Sequence, residues 1–271
     1  LTTGELKVSQ LQSQEAVLNE LGGLDAREVV FESGQLIEMQ SVLKDYLNIL
    51  ISFPKETELN AELNEYMQKV DKELQPVVKQ LLLYVQETQM RTLDHIQTPQ
   101  VYEPEHFLVY GQNVRRNLEL VTSLRDHSRK GTLLWLLDQT KTAMGGRQLR
   151  QWLEKPLILS SEIKMRQNQV ENLMNHFFER ADLVEALSRV YDLERLVGKI
   201  SFGTANARDL IQLKRSLEQI PYLKEILKLM NEDHVWDQTI ENLDEVPEVY
   251  EMIERAIQED PPIDRKSTRL N

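Results

Sequence analysis

Cysteine is missing from this 271-residue chain. Disulfide scaffolds, Cys-ligated zinc or iron–sulfur sites and thiol nucleophiles are thereby excluded, and the composition fits a cytoplasmic protein. Long apolar runs are missing too. The longest are Leu81-Leu82-Leu83-Tyr84-Val85 and Leu133-Leu134-Trp135-Leu136-Leu137, whereas a membrane helix takes about 20 such residues. Positive charge is the minority, with 32 Lys and Arg against 44 Asp and Glu and a formal net charge of −12. That balance argues against the whole chain gripping nucleic-acid phosphates, because such binding rests on cations displacing counterions. Leu1-Thr2-Thr3-Gly4 holds no initiator Met and opens no signal peptide, and the chain reads as cut from a longer one.

The common catalytic and nucleotide-binding patterns are also absent. A phosphate loop needs a Gly five residues before Gly-Lys-Ser/Thr, so that backbone N–H groups can surround phosphates. The one Gly-Lys pair, Gly198-Lys199, is followed by Ile200, and Leu193 stands where the first Gly belongs. Neither Gly-x-Gly-x-x-Gly nor Gly-x-Ser-x-Gly occurs. None of His95, His106, His127, His176 and His234 has a second His three or four residues on, the spacing that sets two ligands on one helical face. Asp25, Glu28 and Glu32 flank an expected strand, but a two-metal nuclease needs converging carboxylates, and surface charge explains them more simply. Gly145-Gly146 lies near an expected helix start, where close packing or a tight turn is favoured over an anion site. No catalytic, cofactor-binding or metal residue is assigned.

What remains is material for a folded, mostly helical chain. Hydrophobic residues make up 41% and charged residues 28%, enough for a packed core. Charge is segregated: residues 1–100 carry net −8, residues 113–224 net +6 and residues 225–263 net −10. A solvated helix surface balanced by acidic neighbours is the favoured reading of the basic stretch.

The first hundred residues alternate strand and helix signals. Strands are expected at Glu5–Val8, Glu28–Phe31 and Asn48–Phe53, with helices at Leu11–Leu21 and Leu36–Leu47 between them. That alternation predicts an α/β layer with parallel pairing through right-handed crossovers. Three strands are few, and the rest of the sheet is expected from residues before Leu1. Two helices follow, about Glu56–Val70 and Pro76–Gln89. Thr98-Pro99 and Glu103-Pro104 break the periodicity and mark the expected domain boundary.

Beyond it nearly everything reads as helix. Ser160-Ser161-Glu162 is expected to cap one. An apolar stripe at helical spacing runs from Leu183 to Ile200. A further stripe from Ala207 to Ile220 is expected to break at Pro221, and Val246–Ile257 forms a last helix. Glu185 with Arg189, and Asp192 with Arg195, have ion-pair spacing. Trp135, Trp152 and Trp236 fall in apolar patterns that suggest core packing. The aperiodic residues 264–271 look like a translated sequencing adapter and are set apart as a non-native tail.

Two segments say more than their periodicity. One is Lys130-Gly131-Thr132-Leu133-Leu134-Trp135-Leu136-Leu137-Asp138-Gln139-Thr140-Lys141-Thr142-Ala143-Met144-Gly145-Gly146-Arg147, continuing to Leu149, Trp152, Leu153 and Pro156. The other is Tyr191-Asp192-Leu193-Glu194-Arg195-Leu196, with Gly198-Lys199-Ile200, Gly203 and Asn206-Ala207-Arg208-Asp209-Leu210. Both resemble the core domain of the MutS DNA mismatch-repair family. Arg115-Arg116-Asn117-Leu118-Glu119-Leu120 is a third marker, and Tyr84, Thr88-Gln89 and Leu93–Ile96 resemble the passage into that core.

The resemblance implies a partial α/β connector domain over residues 1–100. It implies a mainly α-helical core domain, with the start of its lever helices, over residues 101–263. Family members are dimers that encircle DNA, read mispaired bases, become sliding clamps with ATP and Mg, and recruit MutL. The mismatch-reading domain would precede Leu1, and the clamp and ATPase would follow Ile263. This segment would couple those parts. A MutS paralogue with a recombination role and a stand-alone helical adaptor stay open as alternatives.

Overall fold

The computed structural model describes residues 6–24, 26–32, 37–47, 49–55, 57–68, 70–88, 96–101, 106–108 and 112–259. The chain divides into two compact units, Leu1–Ser128 and Arg129–Asn271.

The first unit carries β1 (Lys7–Val8), α1 (Gln14–Gly23), β2 (Glu28–Val30), α2 (Ile37–Leu47), β3 (Leu50–Ser52), α3 (Ala61–Met67), α4 (Gln75–Thr88), β4 (Gln100–Val101) and α5 (Gln112–Asn117). β2 and β3 pair in parallel through the α2 crossover, as the strand–helix alternation predicts. Among the described residues the expected three-strand sheet does not form. β1 instead pairs in parallel with β4, a strand that the sequence pattern did not disclose. A cleft of about 340 Å³ is lined by Val8, by Glu28–Val30 and by Val77, Val78 and Leu81. It lies between β1 and β2, which are therefore not neighbours in one sheet.

Two local caps show why the helices begin where they do. The Ser13 hydroxyl accepts from the Ala16 N–H at 3.1 Å, and the Asn60 side chain accepts from the Leu63 N–H at 2.8 Å. Asn60 delays α3 to Ala61, five residues after the expected start. The core has two centres. Leu6, Val8, Leu59, Leu63, Val78, Leu82 and Ile96 gather around α4, whereas Phe31, Met39, Leu43 and Ile49 gather under α2.

The second unit is helical: α6 (Leu133–Leu137), α7 (Ala143–Glu154), α8 (Ser160–Asn175), α9 (Phe177–Ser188), α10 (Leu193–Ser201), α11 (Ala207–Leu229), α12 (Asp237–Asn242) and α13 (Pro247–Ala256). Its axis is α11, which packs against α9, α10, α12 and α13. At 23 residues, it is about 35 Å long.

Three sequence expectations fail here. α11 runs through Pro221. Proline removes one ladder hydrogen bond, but Pro221 stands on the exposed side, while buried Leu217 and Ile220 before it and Leu223, Ile226 and Leu227 after it hold the axis. The stripe from Leu183 to Ile200 is divided between two helices rather than carried by one, because Asp192 starts α10 as an N-cap. α8 is preceded by Leu159, which makes no side-chain cap, so Ser160 is its first helical residue and not its cap.

Two of the three tryptophans also depart from expectation. Trp135 is 50% exposed and Trp152 is 41% exposed. Trp152 lies under Arg166, whose guanidinium carbon is 3.9 Å from the ring centre. Trp236 joins the cluster of Ile226, Leu227 and Met230. Its indole N–H donates to Asn172 Oδ1 at 2.9 Å, while Asn172 Nδ2 donates to the Met230 carbonyl at 2.8 Å. This buried amide satisfies two groups that would otherwise be stranded. Lys214 is likewise buried, and its ammonium is paired with Glu254 on α13. That pairing raises the Lys214 pKa.

Candidate functional site

The two motif segments fold into adjoining devices. In the first, Thr132 caps α6 by accepting from the Trp135 N–H at 3.1 Å, and Thr142 caps α7 by accepting from the Gly145 N–H at 3.0 Å. Between the two helices Asp138 accepts from the Thr140 N–H at 3.0 Å and from its hydroxyl at 2.6 Å, and pairs with Arg129. The Thr140 and Arg129 bonds hold the Asp138 carboxyl below the ordinary carboxylate range.

Gly145 has a steric reason. A Cβ there would meet the Thr142 hydroxyl at 3.0 Å and Thr140 Cβ at 3.4 Å. Its role is close packing against the capping loop, as the sequence reading favours. Arg129, Trp135, Leu136, Asp138, Gln139 and Thr140 line an open depression of about 630 Å³ beside this loop.

In the second segment Asp192 caps α10 by accepting from the Arg195 N–H at 3.2 Å. At the far end Gly203 takes φ +62°, a left-handed turn that suits glycine. The chain then enters α11 through a capping box. Asn206 Oδ1 accepts from the Asp209 N–H at 2.9 Å, and Asp209 Oδ2 accepts from the Asn206 N–H at 3.0 Å. Asp209 also receives Lys199 Nζ at 2.6 Å.

Arg147 joins the two segments. From α7 it donates Nη1 and Nη2 to the two Asp192 oxygens at 2.9 and 2.7 Å. It also donates Nε and Nη2 to Glu194 Oε2 at 2.9 and 2.6 Å. The planar guanidinium thus uses its fork on both carboxylates. The bond to Asp192 raises the Arg147 pKa, and the bond from Arg147 holds Asp192 below the usual range. Hydrogen bonding from Lys199 does the same to Asp209.

Helical spacing proposed Asp192 with Arg195 as the ion pair. The structure gives the Asp192 carboxylate to Arg147 and the Arg195 backbone instead. Arg147 lies 45 residues from Asp192, beyond the reach of any local spacing rule. The expected Glu185–Arg189 pair is present at 2.5 Å. The third marker lies in the first unit, where Glu119 adopts φ +45° and its carboxylate accepts from the Leu124 N–H at 2.5 Å. Glu28, one of the carboxylates weighed for a metal, accepts from the Ser52 hydroxyl at 2.5 Å and from Tyr84, and Asp25 lies outside the described residues. Among the described residues no group of His, Asp and Glu is arranged to hold a metal ion, and no helix is long and apolar enough to cross a membrane.

The family model for MutS domain III matches residues 113–270, more than half of the chain and the whole stretch holding both motif segments. The chain belongs to the MutS family. The DNA mismatch repair protein MutS of Geobacillus sp. (strain WCH70) is 43% identical over 271 residues, which cover 100% of this chain and 31% of that protein. The MutS proteins of Bacillus subtilis (strain 168) and of Listeria monocytogenes serovar 1/2a (strain ATCC BAA-679 / EGD-e) are 41% and 42% identical, over 100% and 97% of this chain. Each is covered over 31% of its length, so the chain spans about a third of the MutS relatives it matches.

Proposed function

We propose that this MutS-family chain is the mechanical coupling segment of a DNA mismatch-repair protein. Residues 1–100 act as part of the connector, residues 101–263 act as the core with the start of the levers, and residues 264–271 are excluded as a non-native tail. The longer protein would bind mispaired duplex DNA as a homodimer, use ATP and Mg, recruit MutL and work in the cytoplasm. No residue of this chain is assigned to ATP or Mg, in keeping with the absent phosphate-loop pattern.

The observation that carries this reading is α11, a single 23-residue helix running through Pro221. Buried side chains lie along most of its length, including Ile211, Leu217, Leu223 and Leu227. Coupling between distant sites is carried by rigid, packed elements, and a helix packed against both α9 and α13 is suited to that task.

The test is made in the longer protein that carries this chain. Its binding to a duplex with one mispair is compared with its binding to the matched duplex, with and without ATP. The expected result is tighter binding to the mispair and release by ATP. Equal binding to both duplexes, unaltered by ATP, overturns the reading.

A further inference from the structure

We infer that α10 is a two-ended ionic tie, docked to α7 at its N-terminus and to α11 at its C-terminus, which passes a displacement of either helix to the other. At the first end Arg147 of α7 reaches Asp192, the residue that caps α10, and Glu194 in its first turn. At the second end Lys199 of α10 reaches Asp209, the residue that closes the capping box of α11. The Lys199 carbonyl is also the acceptor for the Thr204 N–H at 2.9 Å and the Ala205 N–H at 3.1 Å. Between the ends Leu193 and Leu196 sit in the same apolar cluster as Leu213 and Leu217 of α11.

Both ends join a side chain to a capping residue, and that is the central point. A cap fixes where a helix starts and the direction its axis takes. Pulling on Asp192 or Asp209 therefore acts on a helix terminus and not on a loose surface group. The Arg147 side chain is 48% exposed, and ion pairs this open add little net stability. Four directed N–H contacts from one planar group instead specify orientation. Arg147 and Lys199 are thus positioning residues. This role deepens the coupling function proposed above and rests on it only in the second arm of the test below.

The first arm is hydrogen exchange on the 271-residue chain, comparing the parent with R147K, E194Q, K199M and R147K/K199M. Lysine keeps the charge of Arg147 but lacks the fork, and E194Q removes the charge of one partner while leaving the Asp192 cap intact. The tie predicts faster exchange, by several fold, in the first turns of α10 and also of α11 in R147K, with a smaller change in E194Q. K199M is expected to loosen the first turn of α7. The double variant is expected to depart from additivity, although the two ends make no mutual contact. Changes confined to the substituted helix and its immediate ion-pair partner, or strict additivity, overturn the tie.

The second arm measures ATP turnover of the longer protein with and without mispaired duplex. R147K is expected to lower the stimulation by DNA about fivefold or more, the scale of ordinary coupling between sites, while unstimulated turnover holds. Stimulation equal to the parent overturns the tie. A parent protein without stimulation counts against the coupling function itself, and the exchange arm still decides the tie.

Discussion

The two units solve the same problem with different materials. In the first, strands of two or three residues contribute little ladder, and α4 gathers apolar side chains from segments as distant as Leu6 and Ile96. In the second, one long helix is the axis, and the shorter helices are directed onto it by caps, buried amides and ion pairs. The lesson is that apolar burial suffices to hold a layer together, whereas defined helix directions need polar contacts that are costly to misplace. All three tryptophans belong to the second unit. Indole fluorescence therefore reports that unit, and far-ultraviolet circular dichroism reports both.

The largest expected effect sharpens the contrast from the apolar side. Leu82 is 0% exposed at the centre of the α4 cluster. Leu82→Ala is expected to cost about 3 kcal/mol, the usual scale for a buried leucine left as a cavity. The circular dichroism transition should gain an early phase in denaturant while the fluorescence midpoint stays in place. A fluorescence midpoint that moves equally would show the units unfolding as one.

The next comes from the polar side. Asn172→Ala strands the Met230 carbonyl and the Trp236 indole N–H, which is expected to cost about 2 kcal/mol. Indole fluorescence should report a lower unfolding midpoint, with the first unit unaffected. A smaller third effect is expected from Asn206→Ala, which removes half of the α11 capping box at about 1 kcal/mol. Asn206→Asp should restore most of it, since aspartate caps as well.

The smallest effect is on acid sensitivity. Asp192 and Asp209 are held below their ordinary pKa by Arg147 and Lys199. Lowered folded-state values mean that the unfolded chain takes up protons first. Their stabilisation is therefore whole above about pH 4, near the unfolded value, and is lost as pH falls through the folded values. Because the Arg147 and Lys199 side chains are 48% and 38% exposed, each pair should contribute well under about 1 kcal/mol. The second unit should lose stability between pH 5 and pH 2, roughly the range that spans both states of an aspartate. R147Q should flatten that loss by returning Asp192 toward its ordinary value.

Much of this architecture is legible in the amino-acid sequence. The crossover pairing of β2 with β3 follows from alternation of β-rich and helical segments, a local property of the chain. The start of α11 is written in Asn206-Ala207-Arg208-Asp209, where the capping box needs four consecutive residues and nothing else. Gly145 and Gly203 are intelligible because short turns act over a few bonds. The two motif segments declare the family for the same reason, since each is contiguous and ordered.

Contacts between residues far apart in sequence are decided by the tertiary structure. Lys7–Val8 finds its partner at Gln100–Val101, across more than ninety residues, and so leaves the expected sheet. Pro221 is tolerated because buried residues before and after it hold the helix axis, where its local chemistry predicts a break. Arg147 turns from a surface cation into the link between α7 and α10 only when the fold brings Asp192 to it. Local chemistry determines where elements begin and end, because caps and turns involve neighbours along the chain. Which element meets which, and which charge is shared, depends on burying separate apolar faces together, and that balance belongs to the whole fold.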